Sequence, residues 1–324
     1  MHPAYSVILF TTISGLGYGL LMLMGLSAAL GILTPRFDFG AVTFGLAFAC
    51  VTFGLLSSLF HLGHPERAWR ALTQWRSSWL SREGVLAIIT YGPAVAFAAL
   101  WLAAPRDSAL LVAAGLATAA LSIATVSATG MIYASLKPIP RWHNGWVVPV
   151  YVAFAFASGA VVLTPLTRLF GQEHVIVDGL AIVAVVLVAG LKLGYWRAMA
   201  RAGAHSTAES ATGLGAFGTV RLLDPPHTGS NYLMREMGYG VARKHALKLR
   251  RFVLWGGFAL PASCVAAAAG LTSFVGAGLT AMVLSLALTM IAAVAMLLGA
   301  VVERWLFFAE AQHSVTLYYG AAQV

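Results

Sequence analysis

Two side chains able to bind and protonate a small molecule stand at the ends of one polar segment. His61 ends an apolar run and Glu83 opens the next, and residues 62–82 between them hold arginines, tryptophans and serines. A neutral imidazole can hydrogen-bond a carbonyl oxygen, and a carboxyl group can carry protons to it. At a membrane edge that lipid reaches, this pair suits the binding and protonation of a quinone.

Aromatic residues near the same segment can form the walls of such a site. A quinone ring needs apolar and aromatic surroundings. Four aromatic residues are close along the chain: Phe60, Trp69, Trp75 and Trp79. The candidate quinone-binding residues are His61, Glu83, Arg82, His64, Trp69 and Trp79.

These residues also have simpler interpretations, and their spacing does not decide between the two. Glu83 can stabilise the start of a helix, where a carboxylate is favourable, and Ser81 is a suitable N-cap. His61 can be an ordinary residue of the membrane interface, and the tryptophans can anchor helices in the interfacial belt.

The elements that must position these residues are membrane-spanning helices. Of the 324 residues, 60% are hydrophobic and 10% charged, whereas soluble domains carry about 25% charged residues. A span needs roughly 20 apolar residues, and apolar runs this long without alternation exclude a barrel. We predict an all-α bundle in a single integral membrane domain, 1–324. Its eight spans are 6–33, 40–60, 84–104, 109–133, 146–166, 175–196, 252–272 and 276–302.

The distribution of basic residues predicts that both termini are cytoplasmic. With eight spans, the termini and the connections between spans 2 and 3, 4 and 5, and 6 and 7 share one face. That face carries 16 Lys and Arg residues and the opposite face 3, with Lys192 left out. Cytoplasmic connections are enriched in Lys and Arg. The net charge of +9 reflects this topology and contact with anionic lipid, and it does not indicate nucleic-acid binding.

A long polar segment, 197–251, separates the sixth and seventh spans. It contains clusters of Gly, Ser and Thr and a basic stretch at its end. Loops of this length are usually functional or disordered. We expect it to form a cytoplasmic loop on the membrane surface that helps to dock a partner. The candidate docking residues are Arg67, Arg70, Arg235 and Lys244.

The spans within these limits are nearly free of charged residues. Only Asp178 and Lys192 occur, near opposite ends of the sixth span. A transporter needs a polar site near the midplane, so this sequence disfavours transport. No histidine lies in the middle of a span, which argues against a buried bis-histidine haem but leaves open an edge haem on His61 and His143. Cys50 and Cys264 cannot hold a cluster and are expected to be small core residues.

Several motifs resemble the membrane-anchor subunits of dimethyl sulfoxide reductase-type molybdoenzymes. These motifs are His61-Leu62-Gly63, Pro65, Arg67-Ala68-Trp69 and Leu80-Ser81-x-Glu83. The stretch 224–237, which begins Asp224-Pro225-Pro226-His227, resembles the subgroup found with cytoplasmic sulfite dehydrogenases, as does the opening Met1-His2-Pro3-Ala4. The similarity extends over essentially the whole chain.

The resemblance implies a haem-free anchor with eight spans in the bacterial inner membrane. Such anchors bind menaquinone or ubiquinone near a histidine of the second helix, which corresponds to His61, and an acidic residue that corresponds to Glu83. The resemblance assigns no role to Arg82 or His64. Iron–sulfur clusters and molybdopterin belong to partner subunits, an iron–sulfur subunit and a catalytic subunit, and this chain binds no metal.

The expected function is to pass electrons between the iron–sulfur subunit and the quinone pool. Because the candidate site and the long loop share the basic face, we favour sulfite:quinone oxidoreduction. Three alternatives remain open: a quinol-oxidising anchor of a sulfoxide reductase, a secondary transporter, and a passive anchor that binds no quinone. The direction of electron flow and the quinone type depend largely on the partner subunits.

Overall fold

A computed structural model describes residues 3–103, 108–203, 205–224, 226, 227, 229, 231, 237, 241–275 and 278–324. The side chains of residues 61, 241–244, 274 and 275 lie outside this description.

Eight helices in the described residues are long and apolar enough to cross a membrane. They are α1 Tyr5–Leu30, α2 Phe37–Phe60, α3 Trp79–Ala103, α4 Ala109–Ala134, α5 Val147–Leu169, α6 Val175–Arg201, α7 His245–Ser273 and α8 Leu279–Ala309. The prediction of an all-helical bundle with eight spans is confirmed. The boundaries differ most in α8, which runs seven residues beyond the predicted end because the apolar sequence resumes at Trp305 after Glu303 and Arg304.

Helices α1 and α5 form the centre of the bundle. Their most apolar windows are 83% and 78% buried, whereas those of the other six helices are 33–39% buried. Helix α1 packs against α2, α4 and α5, and α5 also packs against α6 and α8. The outer helices leave large apolar side chains on the surface, such as Ile88 and Leu187, where lipid is the natural solvent.

Glycines allow the helices to cross at backbone contact. A Cβ on Gly19 of α1 would collide with the Ala155 backbone of α5, and one on Gly25 with the Gly115 backbone of α4. Gly257 of α7 and Gly299 of α8 face each other in the same way. Small residues at helix crossings are typical of membrane bundles, where close van der Waals packing replaces the hydrophobic effect as the source of association.

Two of the spanning helices contain π-helical turns. The turn Phe10–Ser14 interrupts α1, and the turns Val253–Ala259 and Leu271–Val275 interrupt α7. Such turns change the direction in which side chains point and often occur at functional sites. In α1 the turn carries Thr11, Thr12 and Ser14, which are all buried.

Both termini and three connections meet at one end of the bundle, which we name the terminal face. Ser57 Oγ, at the end of α2, lies 3.2 Å from Ser6 O near the N-terminus. The C-terminal residues contact the other two connections, through Ser314 N to Pro138 O at 2.9 Å and Val324 N to Ser206 O at 2.9 Å. The opposite face joins the remaining connections, for example through Thr34 N and Gln172 Oε1 at 2.9 Å.

The polar segment 197–251 is shorter as a connection than the sequence indicates, because α6 extends to Arg201 and α7 begins by His245. Between them, the short helix Ala208–Thr212 is capped by Thr207, which also forms an isolated bridge with Gln323 near the C-terminus. The first part of the connection is thus attached to the terminal face by the C-terminal residues.

The expectation of a bundle interior free of charged groups is wrong. Within the spans, six acidic or basic side chains of the described residues are buried: Glu83, Arg168, Asp178, Lys192, Glu303 and Arg304, each at most 5% exposed. Because the eighth span was predicted to end at 302, Glu303 and Arg304 were expected outside the membrane, but α8 continues through both. Five of the six lie in ion pairs with one another, which offsets much of the cost of taking them out of water.

Candidate functional site

Glu83 lies inside the bundle, close to the terminal face. It belongs to the second turn of α3, and it is 5% exposed. Thr129 of α4 donates a hydrogen bond from Oγ1 to Glu83 Oε1 at 2.9 Å. A hydrogen bond to a carboxylate is stronger than one between neutral groups, so this contact holds the carboxyl group against α4.

The capping roles considered for this region are wrong. Helix α3 begins at Trp79, so Ser81 and Glu83 both lie within the helix rather than at its N-cap. Ser81 is buried, and its Oγ has no hydrogen-bond partner in the described part of the chain. Glu83 faces the protein interior, where a carboxyl group is costly unless it has a use or a partner.

Hydroxyl groups continue from Glu83 along one side of α4. Thr118, Ser122, Thr125 and Thr129 recur at helical spacing and are all buried. Thr125 Oγ1 lies 3.1 Å from Thr90 Oγ1 of α3. The contact between α3 and α4 therefore contains a line of small polar groups that ends at the carboxyl group of Glu83.

Three buried tyrosines surround the same end of the bundle. They are Tyr18 of α1, Tyr133 of α4 and Tyr151 of α5. The rings of Tyr133 and Tyr151 stack at 5.7 Å between centroids. The Arg304 guanidinium lies over the Tyr151 ring, 3.9 Å from its centroid, a favourable cation–π arrangement at a buried site.

A buried ionic cluster lies beside these tyrosines. Lys192 Nζ of α6 contacts Glu303 Oε1 of α8, and Arg304 Nε lies 3.0 Å from Glu303 Oε2. The three side chains are at most 3% exposed. We name Lys192, Glu303 and Arg304 the ionic triad.

His61 ends the short 3-10 turn Ser58–His61 that follows α2 at the terminal face. Its side chain lies outside the described part of the structure. The first turn of α1 contacts this 3-10 turn, so the backbone of His61 is held at the same end of the bundle as Glu83. The pairing of its imidazole with the Glu83 carboxyl group stays a prediction.

Arg82 and Trp79 lie together on α3. The Arg82 guanidinium lies over the Trp79 ring at 4.3 Å from its centroid. It also donates hydrogen bonds to Trp75 O at 3.0 Å and Arg76 O at 2.7 Å. Arg82 thus attaches the preceding turn to the start of α3, and its described contacts do not include Glu83.

His64 and Trp69 lie on the surface of the terminal face. His64 Nδ1 is 3.0 Å from Glu66 Oε1, with both side chains more than 60% exposed. Trp69 is 63% exposed, and the Arg70 guanidinium lies 5.6 Å from its ring centroid. The structure therefore separates these two candidates from the buried carboxyl group, and their role in binding quinone stays a prediction.

The candidate docking residues are only partly described. Arg67 is exposed and lies 3.7 Å from Glu66, and Arg70 is exposed beside Trp69. Arg235 and the side chain of Lys244 lie outside the described residues. An open cleft of about 600 Å³ on the terminal face is lined by residues of three segments, among them His143, His205 and Gln312.

The remaining histidines and cysteines show no metal centre in the described residues. No group of three His, Cys, Asp or Glu side chains there could hold a metal ion. His143 Nδ1 lies 2.6 Å from Ala134 O, and Cys50 and Cys264 are free and buried. The expectation that this chain carries neither haem nor metal stays a prediction.

Sequence reasoning missed Thr129 and the ionic triad. The signal for Thr129 was the recurrence of Ser and Thr every three or four residues from 118 to 129, which marks a polar stripe on α4. The signal for Glu303 and Arg304 was the apolar sequence Trp305-Leu306-Phe307-Phe308 that follows them. A charged pair inside a continuing apolar helix is buried rather than terminal.

Two comparisons with known proteins agree with this architecture. The family model described as DMSO reductase anchor subunit (DmsC) matches residues 1–223. The C subunit of the sulfite dehydrogenase from Allochromatium vinosum is 33% identical over 335 residues, an alignment that covers 98% of this chain and 99% of that protein. Both the eight apolar helices and the matched range fit a multi-pass membrane protein. The chain belongs to the DMSO reductase anchor subunit family.

Proposed function

We propose that this protein is the quinone-binding anchor of a molybdoenzyme complex and passes electrons between an iron–sulfur subunit and the quinone pool. The observation that carries the proposal is the buried carboxyl group of Glu83 at the terminal face, in a chain of the anchor family. A buried carboxyl group at the end of a membrane bundle indicates proton chemistry rather than packing.

The residues around Glu83 fit a ligand with hydrogen-bonding oxygens. Ser81 Oγ of α3 and Tyr18 Oη of α1 are buried and have no hydrogen-bond partner in the described part of the chain. Buried polar groups without partners are rare in native proteins, so a ligand or water is expected to satisfy them. When bound, a quinone supplies the two-electron redox chemistry.

The chain's own residues supply position and protons. His61 would donate a hydrogen bond to one carbonyl oxygen of the ring, and this bond strengthens as negative charge develops there. Glu83, held by Thr129 at 2.9 Å, would hold and transfer the protons. Trp79, fixed by Arg82, would form part of the apolar wall.

The partners would dock on the terminal face. An iron–sulfur cluster must come close to the quinone site to transfer electrons, and the connections beside Glu83 lie on this face. Arg67 and Arg70 are exposed there, and charged residues on such a surface favour specific association. An iron–sulfur subunit and a molybdopterin catalytic subunit are therefore the proposed partners.

The terminal face is proposed to be cytoplasmic. Arg304 and Arg168 are buried in ion pairs, so they no longer count as loop residues, which leaves 15 basic residues against 2. The positive-inside rule applies to such an asymmetry. A cytoplasmic docking face in a bacterial inner membrane favours oxidation of sulfite, the substrate in the name of the full-length relative, over a sulfoxide reductase anchor.

Transport is not favoured, but for a different reason than the sequence suggests. The argument from an interior without charged groups fails, because the ionic triad lies inside the bundle. Membership of the anchor family takes its place as the reason. A passive anchor that binds no quinone is the main alternative to the proposed function, and the following experiments distinguish the two.

Two substitutions test the quinone role in the assembled complex. His61→Ala and Glu83→Gln should each lower electron transfer from substrate to quinone at least about a hundredfold, the lower end of the range for removing a proton-transfer group. Reduction of an artificial dye by the catalytic subunit should stay unchanged. Glu173→Gln, an exposed position on the opposite face, serves as the matched control.

Unchanged quinone turnover in both variants, with the complex intact, would show a passive anchor.

Purification of the tagged chain in mild detergent tests the partners. Iron, molybdenum and two further subunits should co-purify with it, and an anchor that elutes alone from cells that hold the active complex would exclude the proposal.

A further inference from the structure

The ionic triad carries an excess of positive charge. Lys192 and Arg304 both pair with the single carboxylate of Glu303. With these three groups ionised, one positive charge remains without compensation among them, in side chains that are at most 3% exposed. An uncompensated charge inside a membrane protein is costly. A further negative group near Arg304 would remove this cost.

Glu83 is the buried carboxyl group available for this role. Among the described residues, Asp178 is bound by Arg168 at the opposite face, and Glu310 by Arg141 and Arg250. Glu83 has no basic partner there, and the Thr129 hydroxyl is its hydrogen-bond donor. Ionised Glu83 would bring the sum of the four buried charges to zero.

A small cavity with several polar side chains in its wall lies between Thr129 and Arg304. Its volume is about 20 Å³, and it lies among α1, α4, α5 and α8. A polar cavity of roughly 10–15 Å³ is enough for one water molecule. Because Thr129 also binds Glu83, the cavity joins the surroundings of the carboxyl group to those of the guanidinium.

The lining of the cavity provides donors and acceptors in the arrangement that a water molecule needs. Arg304 Nη1 and Nη2 are buried donors without a well-formed hydrogen bond in the described part of the chain. The hydroxyls of Thr11, Thr12 and Ser14 donate to carbonyl groups of their own helix at 3.0, 2.8 and 2.6 Å. Toward a molecule in the cavity, these hydroxyl oxygens can therefore only accept hydrogen bonds. The π turn of α1 places all three on this side.

We infer that Arg304 is a positioning residue for Glu83, supplying the counter-charge that stabilises its ionised form through one water molecule held between Arg304 and Thr129. The inference rests on the proposed proton role of Glu83 and names the group that controls it. Arg82, although adjacent in sequence, is engaged with Trp79 and two backbone carbonyl groups.

Several titratable groups lie on the helices packed around Glu83. Tyr18 of α1, Tyr133 of α4 and Tyr151 of α5 are buried there. From α8, the Arg304 guanidinium lies 3.9 Å from the centroid of the Tyr151 ring, and Glu303 pairs with Lys192 of α6. The tyrosines are neutral at physiological pH, so Arg304, which lines the cavity together with Thr129, is the cation assigned to Glu83.

Infrared titration of the full chain in lipid vesicles tests this inference without quinone or partners. Glu83→Gln identifies the carboxyl band of protonated Glu83 by its loss. In Arg304→Gln, the ratio of protonated to ionised Glu83 at neutral pH should rise about tenfold or more, as expected when an opposite charge nearby is removed. Arg304→Lys keeps the charge and should stay close to the parent chain.

Arg141→Gln is the matched control. It also removes one of two cations from a shared carboxylate, since Glu310 keeps Arg250 just as Glu303 keeps Lys192 in Arg304→Gln. The control should leave the Glu83 band unchanged. An equal band in Arg304→Gln and the parent chain, or an equal rise in Arg141→Gln, would overturn the inference.

If Arg304→Gln does not fold, the water site is tested in the parent chain instead. Hydrogen–deuterium and oxygen-isotope exchange of water should shift an infrared water band that Thr129→Val removes, and the absence of such a band would contradict the water site. If Arg304→Gln shifts the Glu83 titration while Glu83→Gln leaves quinone turnover unchanged, the role of Arg304 stands and the proposed function is refuted. If Arg304→Gln leaves the Glu83 titration unchanged while Glu83→Gln lowers quinone turnover, the proposed function stands and the role of Arg304 is refuted.

Discussion

At the scale of single residues, the chemistry depends on where each side chain points. Glu83 and Arg82 are neighbours in sequence, yet Glu83 is 5% exposed inside the bundle while Arg82 contacts Trp79 and the preceding turn. Successive residues of a helix point about 100° apart. The carboxyl group therefore joins the interior network, and the guanidinium stabilises the connection that leads into α3.

Thr129→Val should weaken the site without removing the carboxyl group. The variant loses the hydrogen bond to Glu83 at 2.9 Å, and a bond to a charged group contributes about 1.5–3 kcal/mol. We expect a loss of that size in the free energy of unfolding, and slower quinone-coupled turnover. Unfolding in mixed micelles and steady-state kinetics measure the two effects.

Thr289→Val is the control for this substitution. Thr289 is also buried, and its hydroxyl donates to carbonyl groups of its own helix, Ser285 O at 2.9 Å and Leu286 O at 3.0 Å. Its loss should cost less and leave turnover unchanged. Equal turnover in both variants would argue against a functional hydrogen bond between Thr129 and Glu83.

At the scale of the helices, close crossings fix the site. Helix α1 contributes the π turn and Tyr18, and it can reach the centre because Gly19 lies against Ala155 and Gly159 of α5. On the other side, Gly257 and Gly299 bring α7 against α8, the helix that carries Glu303 and Arg304. Membrane helices pack in this way where small residues remove the side-chain barrier.

Gly19→Leu should separate α1 from α5. Its Cβ would already collide with the Ala155 carbonyl group, and overpacking of this kind typically costs about 1–3 kcal/mol, occasionally more. We expect lower yield and a lower unfolding temperature in detergent. Gly45→Leu is the control, because no atom lies within 4 Å of a Cβ built there. Equal stability of the two variants would contradict the packing described.

A buried ion pair joins α5 to α6 at the opposite face. Arg168 binds Asp178 through two hydrogen bonds of 2.8 and 2.7 Å. Arg168→Met leaves Asp178 buried and unpaired and should lower the free energy of unfolding by about 3–5 kcal/mol. The double variant Arg168→Met/Asp178→Leu should recover most of this loss. A double variant as unstable as the single one would mean that the pair stabilises the fold by itself.

At the scale of the whole molecule, the terminal face combines the quinone-site candidates, the basic connections and both termini. The C-terminal Val324 pairs with Ser206, and Ser314 with Pro138, so the C-terminal residues join the connection between α4 and α5 to the start of the connection between α6 and α7. A soluble partner that binds there would lie above Glu83. This arrangement is what the proposed function requires, since partner subunits would dock on one face only.

Cysteine labelling tests the orientation of this face. In a background with Cys50 and Cys264 replaced by Ala, Gln74→Cys lies on the terminal face and Glu173→Cys on the opposite one, both at exposed positions. In intact bacteria, a membrane-impermeant maleimide should label Glu173→Cys and not Gln74→Cys. The reverse pattern would place the docking face in the periplasm and favour a sulfoxide reductase anchor.

The sequence by itself determined the class of fold, the number of spans and the region that holds Glu83. Hydropathy is sufficient for this, because each span must be apolar over a fixed length to cross the hydrocarbon layer. The motif around His61 and Glu83 also indicated the family. The boundaries of the spans were predicted less accurately than their number. The eighth span was predicted to end before its first charged residue, although α8 continues through Glu303 and Arg304.

Only the tertiary structure decided which polar groups meet inside the bundle. Lys192, Glu303 and Arg304 come from α6 and α8, and Thr129 reaches Glu83 from another helix. A hydropathy scale counts each charged residue as unfavourable in its own helix. The free energy of burying that residue depends instead on the partner that a neighbouring helix provides. That partner follows from the helix crossings, which join segments that are distant in sequence through small residues such as Gly19 and Gly257.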